Sequence, residues 1–403
     1  MNIDSINPDN REEIVRNQKV LMRQNKYSAH LMYNYKIDSR NTVTSGVMVD
    51  VYDVKFIDSV LIQTGFYPRK YGTGYGALAQ LYSMWKHKFS EQLSLNSGLH
   101  FQFFSISKSF AAEPRVSLKY QFTEKQSVSL GYGLHHQVQP LPTYYNYDLV
   151  AMDGKPTNLN MGFSRSQHLV LGYDWFFLKD FHIKAEAYFQ YIDKVPIEQF
   201  RSSFSMLNAG ADFGTPDNTY LVNKGKGRNY GLEITAEKFF SKGYYFLVTS
   251  SIFQSHYKAS DNIWRNTAFN GKYVVNALGG YQILFGGKKN KVKRHTFAAD
   301  AKITTAGGRY YTPIDLLASE AARAEVLLDK QAFSQKYKDY FRMDMKLSYR
   351  FSFKKMTHEF STDFQNIFNI KNIFRKVYNP RTNTLNNEYQ QGLFILPQYR
   401  MLF

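Results

Sequence analysis

Residues 340–369 constrain this chain more than any other stretch. Phe341, Met343, Met345, Leu347, Tyr349 and Phe351 are apolar, and Arg342, Asp344, Lys346, Ser348, Arg350 and Ser352 between them are polar or charged. A period of two is that of a β-strand with one oily face and one wet face. A tight turn at Phe353-Lys354-Lys355-Met356 leads to a second strand. That strand sets Phe360, Phe364 and Phe368 against Glu359, Ser361, Asp363 and Gln365. Strands of a soluble sandwich are usually about five or six residues long. These runs reach about twelve, enough to cross a bilayer at a tilt.

The composition fits that reading. There are 31 Tyr and 33 Phe but only 3 Trp, and 17% of residues are aromatic. Mean hydropathy is −0.44, and no run of about eighteen apolar residues occurs, so a helical span is excluded. Alternating strands hide membrane character from an average, because half of each strand is polar.

The pattern recurs along the chain. Leu31, Tyr33, Tyr35 and Ile37 precede a turn at Asp38-Ser39-Arg40-Asn41, and Val43, Val47, Val49 and Val51 follow it. Leu93, Leu95, Leu99, Phe101 and Phe103 form another row. Val116, Leu118, Tyr120 and Phe122 turn at Thr123-Glu124-Lys125-Gln126 into Val128, Leu130, Tyr132 and Leu134. Leu169, Leu171, Tyr173, Trp175 and Phe177 turn into Phe181, Ile183, Ala185, Ala187, Phe189 and Tyr191. Gly/Tyr-rich residues 58–76, Pro-containing residues 138–163 and residues 195–225 read as loops, and residues 12–23 as a short helix. Short turns thus alternate strictly with long loops, as in an outer-membrane barrel with short periplasmic turns and long extracellular loops.

About fifteen strands emerge, whereas bacterial barrels normally have an even number. Counted back from the C-terminus, residues 1–27 are expected to be the remnant of an extracellular loop, and residues 28–403 part of a larger barrel. Residue 1 is expected not to be the native start, because Met1-Asn2-Ile3-Asp4-Ser5 opens no signal peptide. An open barrel leaves unpaired edges in lipid, where each unsatisfied backbone group costs several kcal/mol. An odd number of upstream strands is therefore expected.

The formal net charge is +18. Lys and Arg are spread over turns and polar strand faces rather than gathered into the stripe that nucleic acid selects, so no nucleic-acid partner is expected. The phosphates of lipopolysaccharide, or an anionic solute in the lumen, are the expected counter-charges. Cys is absent, which removes disulfides and thiolate metal sites. His135-His136 and the other His residues show no metal-ligand spacing. No nucleophile constellation stands out, and Gly72-Thr73-Gly74-Tyr75-Gly76 lacks the following helix of a phosphate loop. Neither enzyme activity, nor a cofactor, nor a metal site is expected.

Several segments carry a resemblance to a known family. They are Asp363-Phe364-Gln365-Asn366-Ile367-Phe368-Asn369, Tyr389-Gln390-Gln391-Gly392-Leu393-Phe394 and the terminal Tyr399-Arg400-Met401-Leu402-Phe403, with Gly227-Arg228-Asn229-Tyr230-Gly231-Leu232-Glu233 and residues 306–315. Together they resemble the barrel of a TonB-dependent outer-membrane receptor of the kind abundant in Bacteroidetes. The resemblance implies a barrel of about 22 strands around a plug, so about seven strands, the plug and the TonB-binding segment would belong to a longer parent. It implies energised import of a scarce solute: siderophore, haem, cobalamin, metal and glycan all remain open. It also implies that Tyr399, Met401 and Phe403, at period two with a terminal aromatic, are the signal read by the barrel assembly machinery.

Two loop segments offer candidate solute contacts. Arg309, Tyr310 and Tyr311 follow glycines at a strand end, where a structural corner is the plainer reading. Tyr144, Tyr145 and Tyr147 sit beside Pro140 and Pro142, where aromatic faces could hold a planar or sugar-like ligand or simply lie at the interface. The charges Asp174, Lys184, Glu186, Glu233, Glu237, Asp300, Lys302, Arg342, Asp344, Lys346 and Arg350 fall on the wet face, where mutual pairing is the plainer reading. The fold class expected is all-β, an antiparallel transmembrane barrel. The rivals are a passive porin, a non-functional gene fragment, a barrel enzyme and a soluble β-sandwich, the last of which should have shorter strands.

Overall fold

The computed structural model describes residues 2–6, 14–62, 65–150, 154–211, 214–285, 294–353 and 355–403, with side chains from residue 18 onward. Fifteen long strands run through them: β1 (Ile14–Lys36), β2 (Asn41–Ile62), β3 (Gly65–Lys88), β4 (Leu93–Phe104), β5 (Ser109–Thr123), β6 (Gln126–Gln137), β7 (Ser164–Leu178), β8 (Phe181–Glu198), β9 (Leu221–Ser241), β10 (Tyr244–Lys258), β11 (Tyr273–Phe285), β12 (Arg294–Ala306), β13 (Tyr340–Ser352), β14 (Thr357–Gln365) and β15 (Phe394–Leu402). Each pairs antiparallel with the next in chain order. Short strands Asn2–Ile6 and Trp264–Asn266 join β1 and β10, giving a 17-stranded sheet. Among the described residues β1 and β15 do not pair with each other, so the sheet is not closed.

Alternation gives the sheet two unlike faces. Ile283, Phe297, Tyr349, Phe360 and Tyr399 are register partners across β11–β15, and all five are exposed. The next row toward the short turns holds Phe285, His295, Phe351, His358 and Met401. Trp85, Phe122, Trp175 and Phe240 are also exposed near short turns. Such a belt is the aromatic girdle that marks a membrane interface.

The opposite face is wet and paired. Lys346 lies 3.5 Å from Asp363, Arg342 2.6 Å from Asp344 and Arg350 2.6 Å from Glu359. Lys184 meets Glu186 at 2.7 Å, and His182 bridges Asp174 at 3.1 Å and Glu237 at 2.7 Å. Tyr245 donates to Asp300 at 2.7 Å and Ser251 to Glu233 at 3.5 Å. Most of the wet-face charges thus hold one another.

At the end away from the girdle, loops fold onto this same face. Leu141, Tyr144, Met161, Phe163 and Met206 from loops pack on Tyr52, Val54, Phe56, Leu78, Phe104, Ile192 and Val195 from strands. This apolar core is where the strands outrun the bilayer and their inner faces meet protein rather than water.

Four expectations need correction. Residues 14–27 are part of β1 rather than a loop or a helix; pairing from Gln18↔Val60 to Lys36↔Thr42 supplies their backbone hydrogen bonds. Residues 58–76 are mostly strand: β2 and β3 run to 22 and 24 residues and pair up to Ile62↔Gly65. The expected loop 195–225 shrinks, since β8 extends to Glu198 and β9 starts at Leu221. Strict alternation of turn lengths fails as well, because only two residues separate β2 from β3 and only four separate β4 from β5. In each case the strand continues past the lipid, where the oily-and-wet alternation has no cause.

Candidate functional site

The loop residues 138–163 hold the first set of predicted contacts. Tyr144 ends a short helix, Leu141–Tyr144, that starts on Pro140. Proline at the start fits, because its missing N–H is unneeded there. Tyr144 is fully buried, its ring 5.4 Å from that of Phe104. Burial pushes its hydroxyl up to about 12, and that oxygen accepts the Gln139 N–H at 3.3 Å. It has no surface to offer a solute.

Tyr145 packs edge-on to Phe56 at 5.8 Å, and burial raises its hydroxyl too. Its ring lies over Gly72, where a Cβ would come within 2.2 Å of Cδ1. Its carbonyl accepts the Tyr71 N–H at 3.1 Å, and the Tyr147 N–H reaches Arg69 at 2.8 Å. Tyr147 meets Tyr71 edge-on at 6.4 Å and keeps part of its surface. The loop is therefore stitched along the upper part of β3. Loop 199–220 joins it: Asn146 Nδ2 donates to the carbonyls of Pro216 and Asn218, both at 2.9 Å. Asp217 pairs with the buried Lys70 and with Arg69.

The second set lies among three other loops. Arg309 Nη1 donates to Ala211 O at 3.0 Å and Nη2 to Phe374 O at 2.6 Å. It thereby ties loops 199–220, 307–339 and 366–393 together. Tyr311 stacks on Tyr337 at 4.2 Å and accepts from Lys376 Nζ at 3.0 Å. Tyr310 lies 5.9 Å below the Lys272 ammonium. Asp339 anchors the rim by accepting from the Gly308 N–H, Lys336 and Tyr273 at 3.0, 2.9 and 2.7 Å. Led by the Gly308 bond, these donors hold its carboxyl down at about 2. The corner is chiefly a clasp.

Lower on the wet face is a constellation that the sequence did not single out. Glu113 on β5 is 1% exposed. Its Oε2 contacts Arg115 Nη2 at 2.6 Å and His100 Nδ1 at 2.8 Å. Its Oε1 accepts from Gln102 Nε2 at 2.7 Å and from the His136 N–H at 2.5 Å. A pocket of about 790 Å³ opens beside it, lined among others by Tyr82, His100, Arg115, His135 and His168. The available signal was an acid two residues from Arg115 on the wet face of β5; register with His100 on β4 was not visible. Among the described residues no group of three His, Asp or Glu is arranged to hold a metal ion.

The terminal residues Tyr399, Met401 and Phe403 are exposed. Tyr399 packs on Phe360 at 5.0 Å and bonds His358 Nδ1 at 2.8 Å. Tyr399 and Met401 sit on the girdle face of β15, whose other edge pairs with no described strand, and Phe403 follows the end of the strand.

The profile of the family described as TonB dependent receptor-like, beta-barrel matches residues 17–373. This chain belongs to the TonB-dependent receptor family. No curated protein matches the sequence. Among solved structures, it is similar to the ferric yersiniabactin uptake receptor FyuA of Yersinia pestis at a TM-score of 0.65 and 13% identity, covering 96% of this chain and 55% of that one. The ferric-catecholate import receptor Fiu of E. coli K12 gives 0.63 and 12%, with 96% and 55% covered. The ferric preacinetobactin receptor BauA of Acinetobacter baumannii gives 0.60 and 12%, with the same coverage. The chain thus spans about half the length of the structures it resembles. As a TonB-dependent receptor barrel it resides in the outer membrane, with the girdle face toward lipid and the wet face toward the lumen.

Proposed function

We propose that this chain forms barrel wall in an energised importer of a scarce solute, a siderophore or another metal complex, working with a plug and the TonB complex. The observation that carries the reading is the loop cap. Loops 138–163 and 199–220 bury a common core on the lumen face, and Arg309 clasps loop 199–220 to loops 307–339 and 366–393. A passive pore needs an uncovered lumen, whereas a receptor needs shaped loops over it. The fold shared with receptors for iron complexes supports the same class of cargo. Tyr145, Tyr147, Tyr310 and Tyr311 keep partial exposure in the cap and are the candidate solute contacts; Arg309 positions them. Tyr399, Met401 and Phe403 serve as the assembly signal, presented on the girdle face of β15 and just past its end for the barrel assembly machinery.

The test is uptake by cells carrying the gene as encoded, supplied with a panel of labelled ferric siderophores, haem, cobalamin and glycans. Uptake of one solute that stops when TonB is removed supports the reading. Uptake that is indifferent to TonB makes the protein a porin, and no uptake of any panel member refutes import of these solute classes.

A further inference from the structure

On the lipid-facing side of β9 and β10 the apolar belt ends abruptly in a cluster of cations. Outward residues of β10 run Tyr244, Phe246, Val248, Ser250 and Ile252. Eight steps at about 3.4 Å cover about 27 Å of strand. At a tilt of about 40° that is about 20 Å of height, close to the apolar band of an outer-membrane barrel. The following outward positions are Gln254, His256 and Lys258, and their partners on β9 are Tyr230, Arg228 and Lys226.

Lys226 therefore stands directly opposite Lys258, and Arg228 opposite His256. Like charges in cross-strand register destabilise a sheet. Trp264 is the register partner of Lys258 on the other edge of β10, and its ring centroid lies 4.6 Å from the Arg228 guanidinium and 5.8 Å from the Lys258 ammonium. Lys226, Arg228 and Trp264 are exposed. Among the described residues no carboxylate forms an ion pair with Lys226, Arg228 or Lys258. On the neighbouring β8, Asp193 is already held at two points by Arg165, at 2.7 and 2.5 Å. His256 Nδ1 is buried without a hydrogen-bond partner. The cluster lies well inside the sheet, away from β1 and β15.

We propose that Arg228 and Lys258 at the Trp264 ring, with Lys226 in register beside Lys258, bind the phosphates of an outer-leaflet glycolipid. A cationic face standing immediately above the lipid belt looks into the headgroup layer, and phosphate is the anion found there. Arg and Lys suit it as fork and point charge, and a phosphate between Lys226 and Lys258 turns their repulsion into attraction. The proposal rests on the outer-membrane placement and not on import, so either can fail without the other.

The test uses the detergent-solubilised receptor with Trp85→Phe and Trp175→Phe, so that Trp264 is the one tryptophan left in residues 1–403, and its emission is taken as the difference from the same receptor carrying Trp264→Phe as well. It is titrated with lipid A, with dephosphorylated lipid A and with inorganic phosphate. Lipid A is expected to shift Trp264 emission and to bind far more tightly than either of the others. Lys226→Gln, Arg228→Gln and Lys258→Gln should each weaken it about fivefold, and the triple variant on the order of a hundredfold. Lys125→Gln, in the turn at the other end of the wall, should change nothing. Equal binding of both lipids by the unaltered patch overturns the proposal and depends on no patch variant. Inorganic phosphate binding as tightly as lipid A, or an equal loss in Lys125→Gln, also overturns it. Heat-modifiable mobility on gels confirms that each variant is folded.

Discussion

Met345→Arg and Lys346→Gln, neighbours in sequence, should differ sharply in cost. Met345 lies midway along the outward face of β13, between Phe341 and the girdle residue Tyr349, with Ala301 and Phe364 as register partners. An arginine there has only lipid beside it and no carboxylate in register, and at mid-depth this costs about 2–4 kcal/mol. Lys346 faces the other way, in register with Asp300 and Asp363. Its ammonium is 3.5 Å from Asp363, and the two side chains keep 33% and 25% of their exposure. Water in the lumen screens a pair this open, so its loss costs about 0–1 kcal/mol. The gap is at least about 1 kcal/mol, about fivefold in the folding constant, and centres near 2–3, roughly thirtyfold to 150-fold. Urea titration of the receptor folded into lipid vesicles reads it directly. Equal costs at the two positions, or a larger cost at Lys346, would refute the assignment of lipid and lumen faces.

Three further outcomes follow from the geometry. Glu113→Ala removes the acceptor of four donors, and the orphaned groups around it should cost about 2–4 kcal/mol. Arg115→Gln, whose side chain is 47% exposed, should cost about 0–1; the reverse order in urea would sink the account of that network. Asp339 has a lowered carboxyl, so its anchoring is in force above the ordinary value of 3.8 and lost as pH falls through about 2. Hydrogen exchange at the Gly308 amide should stay protected at pH 6 and open below about pH 2, while Asp339→Ala, which leaves no side-chain acceptor, should expose it at both; protection unchanged in that variant would remove the anchor. Deleting Phe403 should slow insertion into the outer membrane severalfold without changing the stability of protein already inserted, and an unaltered insertion rate would strip Phe403 of its signalling role.

The barrel wall was legible because the bilayer writes a rule into each spanning strand. A residue facing lipid must be apolar, and one facing the lumen is free to be charged. The row Ile283, Phe297, Tyr349, Phe360 and Tyr399 obeys that rule strand by strand, which is why about fifteen strands could be counted from the sequence. The rule lapses where the strands rise past the lipid. Residues 65–76 look like a loop because their glycines answer to particular neighbours instead. Gly72 leaves room for the Tyr145 ring, and Gly76 for Ile106, whose Cδ1 a Cβ would meet at 2.6 Å; Gly74 takes a φ of 126°. None of those neighbours is close in sequence.

The same reasoning explains why the loop aromatics were the hardest residues to place. Tyr144 and Tyr145 are adjacent in one short loop, and nothing local separates them. Phe104, more than thirty residues earlier, closes over Tyr144, while Gly72 and Phe56 leave Tyr145 only partly covered. The difference is set by which strand ends the loop lies against, and those ends are fixed by the register of β2, β3 and β4. A change in that register by one residue would turn Val54 and Phe56 outward and dissolve the core on which the loop rests. Candidate solute contacts in this cap are therefore properties of the wall beneath it as much as of the loops. An exchange of loop 138–163 into another receptor should carry its binding preference only if residues 52–56 and 72–76 move with it.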